Sequence, residues 1–221
     1  MSKHRDYISE ILSRKSRHLK RAQRWEQFIK RAEPLVEAFT YAKDQIKSDV
    51  PFRAELLRYF PIGMVACLEG YFRMAFRDLI DFGEPYIENV KNFKDISLGM
   101  PYVLAIHGKK ITIGEFIAHL LPISNLEDIN RDMSVIIGQD FLERLNTTEY
   151  DLKSRTSSLD RLKVSAYGDI KEIFRLRHIF CHELAITERI KIRSLESALG
   201  GVALFTYATE AMMRELLDRR T

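Results

Sequence analysis

Apolar residues in this chain recur at steps of three and four, and that spacing constrains the fold more than any other feature. Val65, Leu68, Phe72, Ala75, Leu79 and Phe82 make one stripe, and Leu195, Leu199, Val202, Phe205, Thr209, Met212 and Leu216 make another. Side chains so spaced share one face of an α-helix, and that face must be buried against a partner. Only 10 Gly and 6 Pro occur in 221 residues, too few to chop the chain into strands and turns. The expected fold class is all-α, a helical bundle. At 46% hydrophobic and 30% charged residues the chain is an ordinary globular one, long enough for one good core or two small ones. No stretch approaches 18 uncharged apolar residues, so no membrane span is expected. Cys67 and Cys181 cannot build a disulfide framework, and the N-terminus lacks the apolar core of a secretory signal. The chain is therefore expected to be cytoplasmic.

Local signals divide the chain. Ile8, Ile11, Leu12, Trp25, Phe28 and Ile29 predict a helix over about 4–32, and Pro34 opens or kinks the next, which carries Leu35, Phe39, Ala42 and Ile46. Ser48-Asp49-Val50-Pro51 ends it. A short helix follows over Phe52–Tyr59, and Pro61 opens a longer one that Gly83-Glu84-Pro85 stops. Residues 84–111 fit either a small hairpin or a helix and loop. Thr112–Glu115 and Ser124–Glu127 have capping-box spacing, which predicts two helix starts. Asn146-Thr-Thr and Ser154–Ser158 suggest a polar loop. Asp169 and Glu172 mark a helix reaching about residue 186, and one closing helix follows.

Charge is unevenly spread. Residues 1–31 carry ten Lys/Arg against three acids, while the rest of the chain is slightly acidic. The expected organisation is a basic N-terminal helical arm, 1–50, on a helical domain, 51–221. Such an arm either attracts a polyanion or is a solvated amphipathic helix, and its first 31 residues should be removable without loss of the fold.

Common enzyme signatures are absent: no Walker loop, no G-x-G-x-x-G, no H-E-x-x-H and no C-x-x-C. The run Phe174-Arg-Leu-Arg177-His178-Ile-Phe-Cys181-His182-Glu183 stands out instead, because it sets two Arg and two His among apolar residues on one helix. Polar groups in such a setting need partners or a task. His178 and His182 lie about 40° apart around a helix, on one face. That spacing suits zinc, but a site needs a third or fourth ligand, and nothing ties His107 or His119 to this helix. No metal or cofactor is expected. Arg177 and His182 are about 140° apart and about 7.5 Å along the axis, so they converge only on something large, such as a phosphodiester or a second subunit.

Arg177-His178-Ile179-Phe180-Cys181-His182 resembles the R-x4–6-H motif of the HEPN superfamily, all-helical proteins that include many metal-independent ribonucleases. The polar residue that follows the Arg in that family is matched by His178. The motif's place near the end of a helix with one closing helix after it is matched as well. The segment Ala66–Ile80 is similar to the first core helix of HEPN proteins from bacterial defence and toxin systems. The likeness covers roughly residues 55–217 and leaves the arm outside.

The resemblance implies a HEPN-like helical bundle and a homodimer with two motif helices facing each other across a basic cleft. It implies an endoribonuclease that cleaves RNA by 2′-OH attack, in a toxin–antitoxin or phage-defence setting with a possible antitoxin protein as partner. His182 would be the acid or base, Arg177 would stabilise charge and His178 would orient or assist. Some HEPN families place an acidic and a basic residue near the motif, where Glu69 and Arg73 stand here; a surface i,i+4 ion pair is the plainer reading of those two. Arg175 also fits the loose spacing, but no polar residue follows it. Cys181 and His182 point about 100° apart on a helix, which disfavours a Cys nucleophile. The alternative is a non-catalytic HEPN-like module that binds RNA, nucleotide or a protein partner.

Overall fold

The computed structural model describes residues 6–14, 23–47, 51–94, 96, 99–108, 110–152, 155–157, 165–183 and 191–218. Among the described residues the regular structure is helical except for one small antiparallel ribbon. In order the elements are α1 (Tyr7–Leu12), α2 (Gln23–Asp44), α3 (Pro51–Phe82), α4 (Tyr86–Asn89) with a 3-10 turn at Val90–Asn92, α5 (Met100–His107), α6 (Ile113–Leu120), α7 (Leu126–Ile137) and α8 (Phe141–Thr147). Strands β1 (Tyr150–Leu152) and β2 (Arg155–Ser157) follow, then α9 (Ser165–His182) and α10 (Ile192–Asp218). The ribbon pairs Tyr150 with Ser157 and Leu152 with Arg155, in place of the expected loop.

The two stripes seen in the sequence form the centre of the molecule. Leu68, Phe72, Ala75 and Leu79 of α3 are fully buried, and so are Val202, Phe205, Thr209 and Met212 of α10. Phe72 and Phe205 meet at 5.6 Å between ring centroids, and Phe141 of α8 lies edge-on to both. Helices α2, α6 and α9 pack around α3, and α10 packs along α9. Gly201 permits that last approach, since a Cβ there would lie 2.4 Å from the Asp169 Cβ.

Several boundaries differ from expectation. Pro61 opens no helix but sits, buried, inside α3, a continuous run of 32 residues. A proline costs the helix one hydrogen bond and a clash with the preceding turn. Burial of Leu57, Phe60, Met64 and Val65 on either side outweighs that cost. Pro34 likewise lies within α2. The segment 102–107 is the helix α5, not a hairpin. Thr112 and Glu115 form the capping box of α6. The second start is shifted by one residue: Asn125 caps α7 by accepting from the Asp128 N–H, and Asp128 accepts from the Ser124 N–H.

The division at residue 50 is not a division in packing. Phe28, Ala32, Phe39 and Ala42 of α2 belong to the same core as α3 and α10. Arg53 at the start of α3 donates to the carbonyls of Ala42 and Lys43, closing the C-terminal end of α2. Arg24, counted among the arm's cations, is 2% exposed. Residues 23–31 therefore cannot be removed without opening the core, contrary to the expectation for a detachable arm. Lys3, Arg5, Lys15, Arg17, Lys20 and Arg21 lie outside the described residues, as do the turn 48–50 and the expected end of α9 near 186.

Candidate functional site

Helix α9 turns one face inward through Ile170, Ile173, Phe174 and Leu176, all buried in the core. In the last two turns Phe180 still packs against the core, while the other face presents polar groups to the surface. Arg177 is half-buried, while His178, Cys181 and His182 are exposed. The His178 and His182 rings sit 5.2 Å apart with planes inclined at 49°, as their i,i+4 spacing requires. His178 Nε2 is 3.9 Å from Glu183 Oε1.

Arg177 Nη2 lies 3.6 Å from Glu69 Oε1 on α3, so the motif helix and the earlier helix meet at this pair. Glu69 and Arg73 do not form the i,i+4 ion pair with each other. Arg73 donates from Nη1 to the Ala118 carbonyl at 2.7 Å and to the His119 carbonyl at 3.3 Å. It thereby serves the C-terminal end of α6, where carbonyls lack helical partners and a cation is favoured. Burial and the neighbouring Arg14 lower the Arg73 pKa below its ordinary value, with Glu69 opposing. Arg175 binds Glu172 through two hydrogen bonds of 2.7 and 2.9 Å, whereas Arg177 faces Glu69 on α3.

Two features escaped the sequence. The first is a cleft of about 1060 Å³ between α1, α2, α3 and α6, with five Lys/Arg and two Glu on its walls. Arg14, Arg31 and Arg73 reach it from three segments, and Glu69 links it to Arg177. The basic bias of residues 1–31 was its one visible trace. The second is a buried charge network. Arg24 donates to Asp78 at 3.0 Å and to Glu210 at 3.1 Å, Tyr71 donates to the other Glu210 oxygen at 3.0 Å, and Arg77 donates twice to Asp78. Burial works against the Arg24 charge, but Tyr71, Glu210 and Asp78 outweigh it and raise its pKa. Burial and Glu210 push the Tyr71 hydroxyl well above its usual range.

Chemically, the end of α9 offers two exposed imidazoles able to move protons and one guanidinium able to meet a phosphate. Within one chain Arg177 and His182 leave the helix in different directions, so a single copy does not surround a substrate. Cys67 is buried, and burial raises its thiol pKa, so it is poorly disposed to act as a nucleophile. Among the described residues no group of three or more His, Cys, Asp or Glu is arranged to hold a metal. No described helix is long and apolar enough to cross a membrane. Compared with known proteins, the chain matches no family model, no curated protein and no solved structure.

Proposed function

We propose that the chain is a metal-independent endoribonuclease of HEPN type, acting as a homodimer through Arg177, His178 and His182. The observation that carries this reading is the end of α9, where His178 and His182 stand exposed beside a half-buried Arg177 that Glu69 of the central helix holds in place. In the reaction, an imidazole at His182 takes the proton of a ribose 2′-OH. The O2′–P bond forms as the P–O5′ bond breaks, and a protonated imidazole supplies the leaving oxygen with its proton. The Arg177 guanidinium balances the charge that builds on the phosphorane oxygens. Because Arg177 and His182 diverge on one helix, a second copy facing the first supplies the missing half of the site.

The test is incubation of purified protein with mixed RNA in EDTA. Cleavage should leave 2′,3′-cyclic phosphate and 5′-OH ends, and DNA of the same sequence should stay intact. His182→Ala and Arg177→Ala should each lose on the order of 10²–10⁴-fold in rate. Activity that dies in EDTA and returns with zinc would overturn the assignment.

One observation favours a non-catalytic module instead. Arg177 already has a carboxylate beside it, at 3.6 Å, and an arginine so paired has less charge to offer a phosphate. Glu69→Gln separates the two readings. It should raise cleavage if Glu69 restrains a working Arg177, and wild type and variant alike should fail to cut any RNA if the module only binds.

A further inference from the structure

His178 and His182 enter the reaction above as proton carriers, but two imidazoles four residues apart on one helix also form a chelate. An imidazole nitrogen ligates zinc at about 2.0–2.1 Å, and the tetrahedral angle then sets the two ring centroids about 5 Å apart. The His178 and His182 rings already stand at 5.2 Å. Both side chains are exposed, so turning a nitrogen of each towards a common ion takes side-chain rotation and no movement of the backbone.

The surrounding charges permit a cation. Glu183 Oε1 lies 3.9 Å from His178 Nε2 and puts a carboxylate beside the ion's position. Arg177, the residue before His178, opposes a cation, and Glu69 at 3.6 Å offsets its charge. Two imidazoles leave half of a tetrahedral shell open. Among the described residues of one copy no group of three or more His, Cys, Asp or Glu is placed to fill it. His119 is buried against Glu10, and His107 stands on α5. The homodimer proposed above supplies the other half. Two α9 helices facing each other across a two-fold axis bring two such pairs together, and four imidazoles complete the shell.

We propose that the end of α9 is an inhibitory zinc site, in which His178 and His182 of one copy and the same pair of a second copy hold one ion between them. The inference rests on the ribonuclease reading for its dimer and its consequence, while the chelating pair belongs to one helix. A bound zinc ion occupies the imidazole lone pairs that would take the 2′-OH proton, and it fills the space between the helices where a phosphate would lie. Cleavage is silent while the ion stays and resumes when it leaves. Nitrogen ligands select zinc over magnesium and calcium, which prefer oxygen.

Calorimetric titration of the full chain, without a histidine tag and stripped of metal beforehand, tests the site with zinc chloride. Zinc should bind at one ion per two chains, and magnesium and calcium should give no heat. His178→Ala and His182→Ala should each weaken zinc binding on the order of 10²-fold, the gain of a chelate over a single ligand. Both positions are exposed, so neither change threatens the fold. His107→Ala should bind as wild type does. With RNA as substrate, one zinc per two chains should suppress cleavage, and EDTA should restore it in full. The inference is overturned by any of four results: no zinc binding at tens of micromolar chain, one ion per chain, unchanged affinity in both histidine variants, or undiminished cleavage with the site filled. None of these touches the ribonuclease reading, which cleavage in EDTA decides. A chain that binds zinc at one ion per two copies but cuts no RNA in EDTA would keep the ion site, and would lose both the ribonuclease reading and the inhibition built on it.

Discussion

Arg24 illustrates how much a single side chain contributes that no linear reading reveals. It sits in the first turn of α2 among nine other cations of residues 1–31, and nothing in its neighbourhood marks it as different. Its partners lie 54 and 186 residues away, at Asp78 and Glu210. They meet because three helices converge there, and the pairing is visible only in three dimensions. Buried ion pairs of this kind bring little net stability compared with a well-packed apolar replacement, but removing one partner strands the others without a counter-charge. Arg24→Ala should therefore cost about 3–5 kcal/mol, measured by urea denaturation. Lys30→Ala, which removes an exposed i,i+4 pair with Glu26, should cost no more than about 0.5 kcal/mol. A loss at Arg24 as small as that at Lys30 would mean that water reaches the network and screens it.

At the level of elements, the legible helices were those with a clean period and a local cap. α10 follows its stripe from Leu195 to Leu216, and the capping box of α6 is fixed by residues three apart. The joins between elements were less legible, because tertiary burial decides them: Pro61 lies inside α3, and the run Tyr102–Ile106 has too little period to tell strand from helix. The attachment of α6 is one such join. His119 at its end has a side chain 3% exposed, with Nε2 2.9 Å from Glu10 Oε2 of α1 and Tyr7 edge-on at 5.6 Å. Burial lowers the His119 pKa, the charges of Arg14 and Arg73 lower it further, and Glu10 opposes them. In the unfolded chain the imidazole takes a proton near pH 6.5. The folded chain resists that proton, so the unfolded state binds more protons as pH falls and is favoured. Stability should be flat in this respect above about pH 7 and should decline as pH drops through about 6.5 towards the lower folded value. His119→Gln keeps a donor for Glu10 and removes the titration. The difference between its pH–stability profile and that of wild type should isolate the decline, and parallel profiles would show that His119 titrates as freely folded as unfolded.

For the whole molecule, the all-helical class followed from periodicity, and the proposed motif on α9 lies at the surface where substrate or a second copy can reach it. The separation at residue 50 was misread because charge, not apolar spacing, suggested it. α2 carries its cations outward at Lys30 and Arg31 while Phe28, Ala32, Phe39 and Ala42 go into the core. The proposed dimer makes the last prediction. Arg177 and His182 diverge on a single helix, so a site built from them needs two α9 helices face to face, burying at least ~1,000 Å² in total. The cysteines provide a direct probe, since Cys181 is exposed between the two histidines and Cys67 is buried. A short bis-maleimide should join two chains through Cys181 within minutes, and Cys181→Ser should abolish the product. Light scattering should show a dimer at tens of micromolar, near ~52 kDa from two chains of 25.9 kDa. A dimer that fails to cross-link would place the interface elsewhere on the molecule. A pure monomer would leave each Arg177 with only its own His182, too far round the helix to act on the same phosphate, and the ribonuclease reading would fall with the dimer.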